Sequence, residues 1–364
     1  MKKIGLYIHI PFCSGKCPYC DFYSLKYTTE NVELYAGKLK ELILSYRNND
    51  LTADTIYFGG GTPSLLGTRN LSEIMQCIKL AFGNESLETT LEINPESAHL
   101  LDFSELKKSG FNRISMGLQS ADDRELKSLG RKHSAEDISQ TVEEIRTGGI
   151  TNISLDLMVG IEGQTQETLG KSIDFCSSLG VRHISAYILK IEKGTLYYKN
   201  KNTLNLPDDD AVCDMYEFMT DKLKSLGYNQ YEISNFANNG FESRHNLKYW
   251  NCEEYLGLGP SAHSFIGGRR FYYGRSLKDF YSGITFDDGI GGDVEEYISM
   301  RLRLAEGIKY EKFKQHFGYG FPSKYIENAK KLANTPLLLI DNEGIRLTPA
   351  GFLCSNSIIV SVIL

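Results

Sequence analysis

From Ile4 to Ile188, apolar runs of strand length alternate with stretches whose apolar residues recur at helical spacing. Strands are predicted over Ile4–Ile10, Asp54–Phe58, Glu88–Ile93, Asn112–Met116, Asn152–Leu157 and Arg182–Ile188, and helices over Val32–Tyr46, Leu71–Phe82, Ala135–Arg146 and Gln166–Leu179. Gly110, Gly148-Gly149 and Gly180 fall where helices should stop. Six β-α units in succession imply parallel strands joined by right-handed crossovers. The pattern fits an α/β fold, an incomplete (β/α)6 barrel; an open doubly wound sheet has the same signature.

After about residue 205 the rhythm changes. Pro207-Asp208-Asp209-Asp210 starts a helix running to Gly227, its acidic residues placed well for the helix dipole. Tyr231–Phe241 leads into the polar, aromatic stretch Arg244–Trp250, and Gly257–His263 reads as a loop. From Val294 the order is helix, helix and a two-stranded ribbon turning at Asp341–Gly344, which has winged-helix character. The division expected is a core domain over 1–235 and a smaller C-terminal domain over 236–364.

Polar or glycine-rich sequence falls repeatedly just after a strand. Cys13–Cys20 follows the first, Gly59-Gly60-Gly61-Thr62-Pro63 the second, and Glu92-Ile93-Asn94-Pro95 closes the third. Gln119 follows the fourth, Asp156 ends the fifth, and Lys190 lies past the sixth. Parallel α/β folds bind ligands at the C-terminal ends of their strands, so these loops converge on one site.

Composition narrows the class. With 41% hydrophobic and 24% charged residues the chain reads as an ordinary soluble protein, and its net charge of −6 argues against a nucleic-acid partner. No apolar run approaches the ~18 residues that span a bilayer. Neither a signal nor a transit peptide fits the start Met1–Gly5. A cytoplasmic protein is expected, with membrane contact at most peripheral, at the inner face of the membrane.

Cys13, Cys17 and Cys20 follow a C-x-x-x-C-x-x-C spacing. Zinc sites pair C-x-x-C elements with a second half, and none follows here. A disulfide framework suits small secreted chains rather than 364 residues with 8 scattered cysteines. Iron–sulfur clusters normally take four thiolates, so three from one loop leave an iron open to another ligand. The loop resembles that of the radical S-adenosylmethionine (SAM) superfamily, which implies a [4Fe-4S] cluster whose open iron binds SAM. Gly59-Gly60-Gly61 resembles that superfamily's GGE-type motif, with Thr62 replacing the glutamate. Glu92, Gln119, Arg131 and Asp156 suit the ammonium, carboxylate and ribose hydroxyls of SAM. Cys77, Cys176, Cys213 and Cys354 read as buried small apolar residues.

Tyr7–Cys13, Gly59–Pro63, Phe111–Gln119 and Asp156–Gly160 together resemble the oxygen-independent coproporphyrinogen III oxidase family, over Met1 to about Ser264 and again in the C-terminal domain. The resemblance implies a SAM site of Tyr7, Tyr19, Gly60, Gly61, Thr62, Glu92, Gln119, Arg131 and Asp156, with Lys190 beside it. Two departures point away from the oxidase. Its members carry a further cysteine two residues past the third ligand, where this chain has Phe22, and an extension before the first strand. Both departures, and His245-Asn246-Leu247-Lys248-Tyr249-Trp250 matching H-N-x-x-Y-W, resemble the HemW-type branch of heme chaperones. That likeness implies heme binding and delivery to respiratory heme proteins. The alternative is oxidative decarboxylation of coproporphyrinogen III. His245 is the expected heme contact, and Cys252 and His263 are candidates for a second ligand.

Overall fold

The computed structural model describes residues 1–364. One twelve-stranded sheet organises most of the chain. Its parallel part runs in chain order through β1 (Lys2–Ile10), β2 (Leu51–Gly60), β3 (Glu88–Ile93), β4 (Arg113–Gln119), β5 (Asn152–Val159) and β6 (His183–Ile188). These six are the strands read from the sequence: β1, β2 and β5 are longer, β3 is unchanged, β4 starts one residue later and runs on to Gln119, and β6 starts one residue later. Beyond β6 lie two short antiparallel strands, β7 (Asn229–Glu232) and β8 (Asn235–Ala237).

The other edge carries the main departure. β9 (Tyr255–Leu258) pairs parallel with β1, so Gly257 and Leu258 belong to a strand and not to a loop. β10 (His263–Ile266), β11 (Arg269–Tyr273) and β12 (Thr285–Ile290) follow antiparallel. The sheet therefore continues well past residue 235.

The crossover helices form where polar caps meet an apolar stripe. In α1 (Thr29–Ser45), Thr28 caps the start, and Val32, Tyr35, Ala36, Leu39 and Ile43 are buried. Ser134 and Asp137 close a reciprocal capping box before Ala135–Thr147. Thr165 caps Gln166–Ser178. Two short helices, Phe103–Ser109 and Asp123–Ser128, start on the side chains of Asp102 and Asp122. The strands' apolar residues, including Ile4, Leu6, Ile8, Phe58, Leu91, Ile114 and Leu155, join the helix stripes in one continuous core.

The tail runs helix, strand, two helices and two strands from Val294 to Leu347, then two further helices. Ile308–Lys309 pairs with Gly344–Leu347, giving the ribbon a third strand that was too short to read in advance. No helix is long and apolar enough to cross a membrane.

Candidate functional site at the C-terminal ends of the parallel strands

The cysteine loop leaves β1 at Pro11 and returns through Leu25–Lys26, which pairs with Phe12–Cys13. Leu25 N donates to Pro11 O at 2.6 Å and Tyr27 N to Cys13 O at 3.0 Å. On the other side Gly61 N donates to Ile10 O and Thr62 N to Phe12 O, both at 2.7 Å. The base of the loop is thus held between its own returning arm and the glycine run. A β-carbon on Gly61 would lie 2.6 Å from Phe12 O, so only glycine permits this approach. Gly60 adopts a φ of 107°, with the His9 ring 2.5 Å from where its β-carbon would be.

The Thr62 hydroxyl donates to Cys13 Sγ at 3.6 Å and accepts from Asn94 Nδ2 at 3.0 Å. Asn94 Oδ1 in turn accepts from Arg131 at 3.2 Å, and Arg131 donates to the Tyr19 hydroxyl at 3.1 Å. One chain of contacts therefore joins the cysteine loop, the glycine run and Arg131. Asn94 is its middle member; the sequence reading passed over it, although it sits in the Glu92–Pro95 strand end already singled out.

Glu92 accepts from the Tyr57 hydroxyl at 2.6 Å and from Gly60 N at 3.2 Å. Burial pushes its carboxyl up to about 7. Asp156 accepts from Ser115 at 3.2 Å, and burial pushes it up to about 6. Gln119 ends β4 with a φ of 69°, an uncommon conformation for a residue with a β-carbon, and folds its amide back over Gly117. Tyr7 bonds His9 Nδ1 at 3.0 Å.

Two expected residues lie apart from this set. Lys190 is solvent-exposed and paired with Glu192 at 2.8 Å. His245 is 1% exposed, on the helix Arg244–Trp250, with Nδ1 bonded to Thr55 at 2.9 Å and Nε2 to Tyr249 at 2.7 Å. Neither nitrogen is free for iron in this arrangement. Thr55 precedes Tyr57 by two residues on the same strand face, so His245 lies one layer deeper than the strand ends. Glu88 fixes that helix, accepting from Arg244 N at 2.9 Å and His245 N at 3.0 Å. Cys252 is buried with its thiol pushed up to about 12 by burial, a poor ligand. Among the remaining cysteines Cys176 is buried, Cys77 and Cys213 are half-buried and Cys354 is exposed, which corrects the expectation that all four lie inside.

The donor set suits the expected groups. No three His, Cys, Asp or Glu side chains are gathered closely enough for a single metal ion. A four-iron cluster spaces its thiolates more widely, and Cys13, Cys17 and Cys20 are free, partly exposed thiols on one loop. Arg131 Nε is buried without a partner, a vacant donor for a carboxylate. Glu92 and Asp156 are buried carboxyls whose pKa values burial raises, one suited to an ammonium and the other to hydroxyl donors. SAM brings both charges.

Comparison with known proteins decides the family. The radical SAM superfamily profile matches residues 7–176, and the HemN C-terminal domain profile matches residues 293–354. The heme chaperone HemW of Lactococcus lactis subsp. lactis is 34% identical over 367 residues, covering 98% of this chain and 96% of that protein. The chain belongs to the HemW family. HemW of Bacillus subtilis is likewise 34% identical, covering 97% of each. The mouse mitochondrial radical S-adenosyl methionine domain-containing protein 1 is 32% identical, covering 99% of this chain and 87% of its own. Coproporphyrinogen III oxidase (HemN) from Escherichia coli shares the fold: TM-score 0.83 at 22% identity, covering 99% of this chain and 89% of that one. The incomplete radical SAM barrel expected from the β-α alternation is therefore the fold of this HemW-family chain.

Proposed function

We propose that this chain is a heme chaperone that holds a [4Fe-4S] cluster on Cys13, Cys17 and Cys20, binds SAM beside it, and carries heme to acceptor proteins. The observation that carries the cofactor half is the unpartnered Arg131 Nε, tied through Tyr19 to the three-thiol loop and within electrostatic reach of Asp156. Arg131 takes the SAM carboxylate, with its guanidinium oriented by Asn94 and Tyr19. Glu92, held by Tyr57 and Gly60 N, takes the ammonium, and Asp156 the ribose hydroxyls. The half-exposed loop gives the cluster access to an electron donor. When bound and reduced, the cluster supplies one-electron reduction of SAM.

Heme enters this reading from the relatives named as heme chaperones and from the absence of a further cysteine at Phe22. Anaerobic reconstitution followed by heme titration tests it. Saturable binding, with no decarboxylation of coproporphyrinogen III in the presence of SAM and reductant, is the expected result. Decarboxylation without heme binding would overturn the chaperone reading in favour of the oxidase.

A further inference from the structure

Four histidines, His9, His133, His183 and His245, have both ring nitrogens engaged in hydrogen bonds. His263, the first residue of β10, does not. Its side chain is 57% exposed, its Nδ1 lies 3.9 Å from Asp288 Oδ2, and its ring enters no hydrogen bond. Both ring nitrogens are thus unengaged, with a carboxylate near Nδ1 but beyond hydrogen-bond distance, so the ring is free to turn Nε2 toward a metal.

The strands on either side extend this feature. His263 pairs with Tyr272 on β11, and Tyr272 with Phe286 on β12, so three rings stand in one row on one sheet face. The rings are nearly parallel: His263 to Tyr272 spans 4.9 Å at 19°, and Tyr272 to Phe286 5.4 Å at 23°. An axial imidazole stands perpendicular to a porphyrin plane. Rings parallel to it present their edges to that same plane, a favoured edge-to-face contact. Phe286 is 41% exposed, leaving the end of the row open.

Charge and position agree with such an occupant. The exposed guanidinium of Arg275 acts electrostatically on both His263 and His9 and contacts Asp21, the residue after Cys20, at 3.6 Å. It stands between the cysteine loop and the aromatic row and suits a propionate carboxylate. Arg275 is itself paired with Asp21, but at 3.6 Å, while Arg269 holds Asp287 at 2.9 Å and Arg270 holds Glu296 in a closer pair, so Arg275 is the guanidinium most readily exchanged onto a propionate. Partial burial lowers His263 below the ordinary histidine value against the opposing pull of Asp288, so the ring is neutral and its lone pair available at neutral pH.

We infer that the row His263–Tyr272–Phe286 is the heme-docking face, with His263 Nε2 as axial ligand to iron and Arg275 pairing with a propionate. The inference rests on the heme-carrying reading above and replaces buried His245 with an accessible imidazole at the rim of the barrel.

The experiment is a hemin titration of the full-length, cluster-loaded protein, read by the Soret band, for the wild type and for His263→Ala, His263→Gly, Phe286→Ala and His316→Ala. His316 is the control, an exposed histidine that also packs on aromatic rings. His263→Ala shifts the Soret maximum and weakens binding about tenfold or more, and free imidazole restores the maximum in His263→Gly. Phe286→Ala weakens binding without moving the maximum, and His316→Ala matches the wild type. A wild type that binds hemin while His263→Ala leaves both position and affinity unchanged overturns the docking face and leaves the chaperone reading standing. So does loss of the band in His316→Ala. A wild type that binds no hemin overturns the chaperone reading and the docking face with it.

Discussion

The ring of His245 stacks on that of Tyr57, their centroids 5.3 Å apart at 25°, and Tyr57 donates its hydroxyl proton to Glu92. The H-N-x-x-Y-W helix thus reaches Glu92 through one intervening tyrosine. His245→Ala leaves the buried Thr55 and Tyr249 hydroxyls without their partner and opens a cavity behind Tyr57. The expected loss is about 2–4 kcal/mol of folding stability, together with weaker SAM binding. Chemical denaturation and calorimetric SAM titration measure both; unchanged stability would contradict the packing described.

The pH dependence of that loss has a definite sign. Burial lowers His245 to about 3 from 6.5, so the folded state keeps it neutral while the unfolded chain takes up a proton below about 6.5. Its stabilising contribution is therefore full above pH 6.5 and declines toward pH 3. The difference between wild type and His245→Ala in urea denaturation should shrink from pH 7 to pH 4. A difference that grows on acidification would contradict burial of the neutral ring.

Glu92 and Asp156 act in the opposite direction. Their carboxyls are raised to about 7 and about 6 from 4.5 and 3.8, so the folded protein holds more protons than the unfolded chain between those limits. Without a cationic ligand, these groups make the fold less stable as pH rises from about 4 to 7. SAM, by holding both carboxylates ionised, should release protons on binding, with affinity rising through pH 6–7. Calorimetry in buffers of different ionisation enthalpy reads the proton count, and Glu92→Gln should lower it.

Each of Cys13→Ala, Cys17→Ala and Cys20→Ala should reduce iron content after anaerobic reconstitution to background. The melting temperature of the iron-free protein should hardly change, because the three thiols sit on a partly exposed loop outside the core. Full iron loading in any one variant would remove that thiol from the ligand set.

Gly60→Ala places a β-carbon against the His9 ring at a φ that L side chains rarely adopt. The fold should lose about 1–3 kcal/mol, and SAM affinity should fall with it as Gly60 N turns away from Glu92. Retained SAM affinity would show that the amide–carboxylate contact does not shape the pocket.

What the sequence revealed is what local pattern encodes. The six parallel strands, their crossover helices and the cysteine loop are each written in one continuous stretch, and the strand ends marked Glu92, Gln119 and Asp156 in advance. β9 escaped notice because Gly257-Leu258-Gly259-Pro260 has turn composition, and its strand identity comes from pairing with β1 some 250 residues earlier, a non-local contact that periodicity does not report. The burial of His245 was hidden for the same reason: its partners Thr55 and Glu88 lie far away in sequence. The Lys190–Glu192 pair was likewise not legible, because a lysine just past a strand reads alike whether it turns into the mouth or pairs outward.

The central claim, that the chain carries heme to acceptor proteins, is tested most directly by handover. The heme-loaded, cluster-containing protein is mixed with an apo respiratory heme protein, and transfer is followed by the acceptor's absorbance against a heme-scavenging control. Transfer should outpace release to the scavenger and should require contact between the two proteins. Heme that reaches the acceptor no faster than it reaches the scavenger would contradict it.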